Sequence, residues 1–377
     1  MLATGSSRTS RALKVPAARD YLHAAAVLAL AVAINAPPAH AASPSEVVKL
    51  PGRAYVVRAA PQSKWLAAWS EQSDGRYTLY VIDATTGNRQ EVTTVDDPGG
   101  LCWIPNRESL FYCRGVYSEK LESTRVYYYT YDAQTKASKK IVELNDIEST
   151  YQFDPIAAED GSRVFHMTIN TRSLPSFNVY LPGTGTMNQL EAGANIGADY
   201  DLSSDGKMLY WFLTDDDGNL YFAGWDLEVN DETWNAKYPA AMDPVEDHAL
   251  IKVHSPRQQI ATIVFKEDEP QLQLCVYNFL NAAKPYVTPV YLDAGENALD
   301  FDWKGRSNIL YVLTRNENTS EFSILEIDPL TNSQTELLRT KDEIVFVDYA
   351  PGSQTYYFTI VDDRGARNAQ TLVMRLR

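Results

Sequence analysis

Seven short turns recur along this chain at near-constant intervals, and that recurrence constrains the fold more than any other feature. The clearest copy is residues 199–226, DYDLSSDGKMLYWFLTDDDGNLYFAGWD. It reads as a strand, the tight turn Ser203-Ser204-Asp205-Gly206, a second strand, the polar turn Asp215-Asp216-Asp217-Gly218, and a third strand closing on Asp226. The same order is found at residues 55–83, where Pro61-Gln62-Ser63 makes the first turn and Ser73-Asp74-Gly75 the second. It returns around Pro105-Asn106, Glu159-Asp160-Gly161, Ser255-Pro256, Lys304-Gly305 and Ala350-Pro351. One residue from each first turn gives positions 61, 105, 159, 204, 256, 305 and 351, with a mean spacing near 48. A repeat of 40–50 residues made of short strands is the pattern of a β-propeller.

Most copies carry a fourth strand, as at residues 89–95, 139–144 and 335–339. The seventh ends after its third strand, residues 371–376, whereas Glu46-Val47-Val48-Lys49-Leu50 precedes the first copy with suitable apolar spacing. Pairing that segment into the last blade closes the ring and removes an exposed edge. The expectation is an all-β chain: a seven-bladed β-propeller of four-stranded blades closed by an N-terminal strand. Six and eight blades remain the alternatives.

The first 41 residues do not belong to the repeat. Arg8, Arg11, Lys14 and Arg19 precede an apolar run of about 14 residues that ends near Ala39-His40-Ala41, the layout of a secretory signal peptide. The run is shorter than the ~20 residues needed to span a bilayer. An uncleaved anchor or a transit peptide is the alternative. Residues 1–41 are therefore read as a leader, and 42–377 as one propeller domain, periplasmic or secreted and not integral to a membrane. The 336 residues of that domain divided by seven again give 48. The whole chain has a net charge of −15, and removing four cations and one anion with the leader takes it to −18. Such a charge argues against a nucleic-acid backbone as partner.

The residues LSSDGKMLYWFLTDDDGNLYFAGWD resemble the repeats of TolB-like propellers and of the propeller domain in prolyl-oligopeptidase-type peptidases, the dipeptidyl peptidase N-terminal-like kind included. Those repeats carry an S-P-D-G-K turn, an apolar strand, a D-G turn and an aliphatic-aromatic strand ending in Asp. The resemblance implies a stand-alone propeller, because the peptidases' G-x-S-x-G nucleophile does not occur in this sequence.

Candidate chemistry lies on the expected innermost strands, just ahead of each turn. Asp154, Asp199, Asp201, Asp300, Asp302 and Asp348 sit there, with Arg58 in the corresponding place of the first copy. Converging carboxylates repel one another unless they share protons, pair with Arg or bind a cation. One reading is a site for Ca²⁺ or a cationic ligand at the channel mouth. The other is a structural staple, each Asp accepting backbone N–H groups from the neighbouring blade. Asp201, Asp302 and Asp348 share one register and would be central to either.

His248 and His254 fall on one inner strand, but neither they nor His166 form an H-x-H or H-E-x-x-H metal spacing. Cys102 and Cys113 flank one turn, so an oxidising compartment allows a disulfide between them, free thiols being the alternative. The Asp215–Gly218 turn lacks the ligand alternation of an EF-hand. The expected function is a binding or scaffolding module for a protein or peptide partner, with no obligatory cofactor. The alternative is a propeller hydrolase or lyase that uses the channel carboxylates, with a metal and His248 or His254 as further candidates.

Overall fold

The computed structural model describes residues 43–148, 154–191, 199–214, 220–237, 250–266, 269–278, 286–362 and 370–377. The leader, His248 and the Asp215–Gly218 turn lie outside the described residues. Among those described, no helix is long and apolar enough to cross a membrane.

The described strands of the unit Ala42–Arg377 pair into seven antiparallel four-stranded sheets, numbered here in chain order. Their first strands are Ala54–Ala59, Asp97–Ile104, Ile156–Ala157, Tyr200–Leu202, Ile251–His254, Glu296–Trp303 and Ile344–Ala350. Each of these lies against the first strand of the sheet before and the sheet after it, and the last lies against Ala54–Ala59, so together they enclose an axis. The architecture is a propeller of four-stranded blades. The last sheet takes its outermost strand from the other end of the chain, Ser45–Pro51 pairing with Gln370–Leu376 from Ser45↔Arg375 to Pro51↔Gln370. Leu50 is fully buried in that joint, and Thr371 Oγ1 accepts the Ala54 N–H at 2.8 Å and donates to the Gly52 carbonyl at 3.1 Å.

The apolar core lies between neighbouring sheets. Trp69, Leu79, Leu101, Trp103 and Tyr112 fill the gap between sheets one and two. Phe165, Phe177, Trp211 and Trp225 fill that between sheets three and four. Both faces of the middle strands Trp65–Glu71 and Tyr77–Asp83 are therefore buried, which is why they read as near-continuous apolar runs (LAAW, LYVI) rather than alternating ones.

Two side-chain devices set the turns. The Asp ending the third strand caps the turn to the fourth: Asp226 Oδ1 accepts the Glu228 N–H at 2.7 Å and Asp132 Oδ1 that of Thr135 at 2.7 Å. Asp83 does likewise for Thr85 and also takes Lys64 Nζ at 2.6 Å. Burial opposes its charge, but these bonds prevail and hold its pKa down to about 2. In the first turn of sheet four, Ser203 Oγ accepts the Met208 N–H at 2.9 Å and Asp205 Oδ1 that of Lys207 at 3.1 Å. Gly206 there has φ +66°, and a Cβ on it would press within 2.7 Å of Ala158 in the preceding sheet's turn. Glycine is needed for both conformation and approach.

Candidate functional site

In every sheet the first strand enters its turn in the same register. Two residues before the turn stand Arg58, Cys102, Ile156, Asp201, Lys252, Asp302 and Asp348, opposite Ala67, Phe111, Phe165, Tyr210, Ala261, Tyr311 and Tyr357. Strands pleat with period two, so these seven side chains share one direction and form a tier around the axis. The expected register of Asp201, Asp302 and Asp348 is thus present. Asp154, Asp199 and Asp300 lie two residues further from the turn on their own strands or just ahead of them.

Five of the six carboxylates are tied to backbone, Asp300 through the N–H of its own neighbour Phe301 at 2.9 Å. Asp201 accepts the Val253 N–H at 2.6 Å and Asp199 that of Ile251 at 2.7 Å, both joining sheet four to sheet five. Asp348 accepts the Ala59 N–H at 2.7 Å, joining sheet seven to sheet one. Asp302 accepts the N–H of its own neighbour Trp303 at 2.7 Å. The staple geometry weighed from the sequence is formed at Asp199, Asp201 and Asp348.

These bonds do not neutralise the crowding. Burial raises the pKa of Asp201 to about 7, with Asp302 adding to the rise and Lys252 opposing it. Burial likewise lifts Asp199 to about 6 against the pull of Lys252, and Asp348 to about 6 against that of Arg58. Asp300 is raised for the same reason. The two cations respond in the opposite sense. Burial works against the charge of each, but Asp154, Asp348 and Asp300 hold Arg58 protonated, and Asp302, Asp199, Asp201 and Asp300 hold Lys252 so. Arg58 also reaches Asp154 at 2.8 Å, an ion pair from sheet one to the edge of sheet three. At the same end, Arg306 in the turn of sheet six meets Glu159 in the turn of sheet three at 3.0 Å. Six carboxylates thus face two cations.

Lys252 is the residue that sequence reasoning missed. The signal was available: it holds the same place before its turn as Asp201 and Asp302. Attention to carboxylates passed over it.

His254 is buried and lies with its ring centroid 4.6 Å from that of Trp303, and burial lowers its pKa. His166 is buried between sheets, with Nδ1 2.7 Å from the Tyr128 hydroxyl. The disulfide considered for Cys102 and Cys113 is not formed; both are free thiols. The register explains this, since Cys102 lies opposite Phe111 while Cys113 lies beside the bulge at Gly99-Gly100, its Sγ 3.7 Å from the Gly100 carbonyl. Burial pushes both thiols well above the usual range. Among the described residues, no group of three or more His, Cys, Asp or Glu side chains is arranged to hold a metal ion.

No family model matches the chain, and no curated protein does. Solved structures do. The β-propeller domain of the Trilobed protease from Pyrococcus furiosus aligns with a TM-score of 0.59 at 11% identity, over 82% of this chain and 91% of that one. That domain is described as having an open velcro topology, whereas here Ser45–Pro51 is paired into the last sheet. An acylaminoacyl peptidase from Pyrococcus horikoshii aligns with a TM-score of 0.56 at 11% identity, over 83% of this chain but only 49% of the peptidase. TolB from Acinetobacter baumannii aligns at 12% identity with a TM-score of 0.45, over 81% of this chain and 78% of TolB. At 11% identity the likeness to the Trilobed protease domain and to the acylaminoacyl peptidase is one of fold alone, that of a β-propeller.

Proposed function

We propose that this chain is an exported, seven-bladed propeller that serves as a binding or scaffolding module for a protein or peptide partner. It holds a positively charged segment of that partner at the carboxylate-rich end of its axis. The observation that supports this reading is the tier itself, where Asp199, Asp201, Asp300 and Asp348 are all pushed toward protonation beside only two cations. A site that takes up protons near neutral pH also favours an ammonium or guanidinium in their place. The net charge of −15 draws basic partners from a distance. The leader pattern supports export to the periplasm or beyond, with cleavage near Ala41.

The test is calorimetric titration with a short peptide bearing two arginines, at low salt and about pH 6.5. Binding should release protons, seen as an enthalpy that changes with the buffer's ionisation heat. The variant carrying Asp302→Asn and Asp348→Asn should lose both the affinity and the proton release. Equal binding by that variant would exclude the axial site.

A propeller hydrolase or lyase is the second reading, favoured by one observation. A carboxyl held at about 7, as in Asp201, suits general acid–base work. Turnover of a small molecule that is lost in Asp201→Asn would carry it.

A further inference from the structure

At the turn end of the axis, neighbouring first turns lock onto one another around the ring. The Gly352 N–H of sheet seven donates to the Pro61 carbonyl of sheet one at 2.8 Å. Asn106 Nδ2 of sheet two donates to the Asp160 carbonyl of sheet three at 3.2 Å. A Cβ on Gly305 of sheet six would touch Pro351 of sheet seven at 3.5 Å. Each of these contacts joins one sheet to the next. The bond from Arg306 Nε to Glu159 Oε2, 3.0 Å long, does not. It runs from the turn of sheet six to the turn of sheet three, and the closed order of first strands sets those sheets on nearly opposite sides of the ring. The pair therefore crosses the axis.

It does so above the axial tier. Glu159 follows the tier residue Ile156 by three positions, and Arg306 follows Asp302 by four. At ~3.3 Å per residue the crossing lies within roughly 13 Å of the tier. The pair is lightly held. Its side chains are 76% and 41% exposed, and ion pairs so open to water are weak. Other cations of these turns pair within their own sheet or with the next one, Lys304 with Glu326, Lys207 and Arg163 with Glu228. Arg306 is the one of these four that reaches across.

We infer that Arg306 is a displaceable latch on the axial site: its guanidinium occupies Glu159 until a cation arriving from solvent takes that place and passes to the carboxylates beneath. Glu159 is then the outermost acceptor of a series that continues in the tier. Arg306 carries the same charge as the ligand, so the entrance admits a lysine or arginine side chain in exchange for it. An uncharged molecule offers Glu159 nothing in return. What is admitted rests on the function proposed above, whereas the closure rests on the crossing alone.

Cys102, half-buried in the tier, serves as the reporter. The probe is a methanethiosulfonate bearing a trimethylammonium group, and its reaction is followed by mass-spectrometric peptide mapping. The thiolate displaces methanesulfinate to form a mixed disulfide, and the thiol proton goes to the buffer. Arg306→Ala should raise the rate at Cys102 about two- to fivefold, the range for releasing an exposed ion pair. Glu159→Gln breaks the same bond but leaves Arg306 at the mouth and removes the acceptor, so its rate should stay at or below that of the wild type. Fully buried Cys113 should remain unmodified throughout. Association of the two-arginine peptide, followed by stopped-flow fluorescence, should quicken by a similar factor in Arg306→Ala. Faster labelling without any peptide binding would reject the axial function and uphold the latch. Equal labelling of wild type and Arg306→Ala, equal acceleration in both variants, or modification of Cys113 along with Cys102 would each overturn it.

Discussion

Replacing Asp201 with Asn separates the two roles that this carboxylate plays. Its side chain accepts the Val253 N–H at 2.6 Å and the Leu202 N–H at 2.8 Å, and an amide oxygen can still accept such a bond. What Asn removes is the charge together with one of the two bonds, because they are accepted by different carboxylate oxygens and the amide NH2 cannot accept. The folded pKa is about 7, raised by burial from an ordinary 3.8. A carboxyl whose folded pKa is raised is matched by the unfolded chain only below that ordinary value. As pH rises from about 4 to about 7 the unfolded chain ionises first, stability falls, and above about 7 the full penalty remains. Three pK units correspond to about 4 kcal/mol; solvent reaching the channel wall roughly halves this to about 2 kcal/mol. For a domain spanning Ala42–Arg377 the unfolding entropy is roughly 0.7 kcal/mol per degree, so the effect is about 3 °C. One lost hydrogen bond offsets about 1 kcal/mol of this at every pH, so melting curves should favour the wild type by about 1.5 °C near pH 4.5 and the variant by about 1.5 °C at pH 8, a swing of about 3 °C. A variant less stable than the wild type by the same amount at every pH would refute the electrostatic argument and leave the staple alone.

Three further outcomes follow from the same geometry. Lys252→Met strips the cation facing Asp302, Asp199, Asp201 and Asp300; it should cost roughly 2 kcal/mol at pH 8 and clearly less at pH 5, read by denaturant titration. Deleting Ser45–Pro51 removes the outer strand of the last sheet and buried Leu50, worth about 2 kcal/mol for that side chain alone, and an unchanged unfolding midpoint would show that the strand does not close the ring. Millimolar Ca²⁺ or EDTA should leave the melting temperature within about a degree, since Arg58 and Lys252 already occupy the neighbourhood of the carboxylates; a reproducible rise with Ca²⁺ would revive the metal reading.

The fold was legible because its signals are local. Ser203-Ser204-Asp205-Gly206 and the strand-ending Asp83, Asp132 and Asp226 are turn chemistry, and turn chemistry repeats wherever the backbone does. The fourth strand at Arg89–Val95 was read with its observed bounds, whereas the strand expected at 139–144 runs from Ala137 to Ile147. Polar edge residues give no periodic signal to mark such ends. The axial register was legible too, but the partners of each carboxylate were not. Asp201 and Val253 are 52 positions apart, and only the docking of one sheet on the next brings them together. Likewise the spacing of Cys102 and Cys113 allowed a disulfide, but the turn fixes Ile104 opposite Ser109, which puts Cys102 opposite Phe111 and leaves Cys113 opposite the Gly99-Gly100 bulge.

The joints between sheets explain why the two cations stand where they do. Where the tier residue is Asp201 or Asp348, the next sheet presents Val253 or Ala59 one position further on, and the carboxylate takes that residue's N–H. Where the tier residue is Arg58 or Lys252, no carboxylate is available, and the equivalent residue of the next sheet is a tryptophan. Trp103 Nε1 donates to the Arg58 carbonyl at 3.0 Å, and Trp303 Nε1 to the Lys252 carbonyl at 3.1 Å. The indole fastens these joints through backbone, so the side chains of Arg58 and Lys252 are not needed as fasteners and can turn their charge on the surrounding carboxylates. Trp303→Phe tests the division of labour. It keeps an aromatic ring beside His254 but loses one hydrogen bond, at a cost of about 1 kcal/mol. Because the Lys252 ammonium is untouched, the pH dependence of stability should match that of the wild type. A changed pH profile in Trp303→Phe would mean that the indole, and not only the strand, positions Lys252.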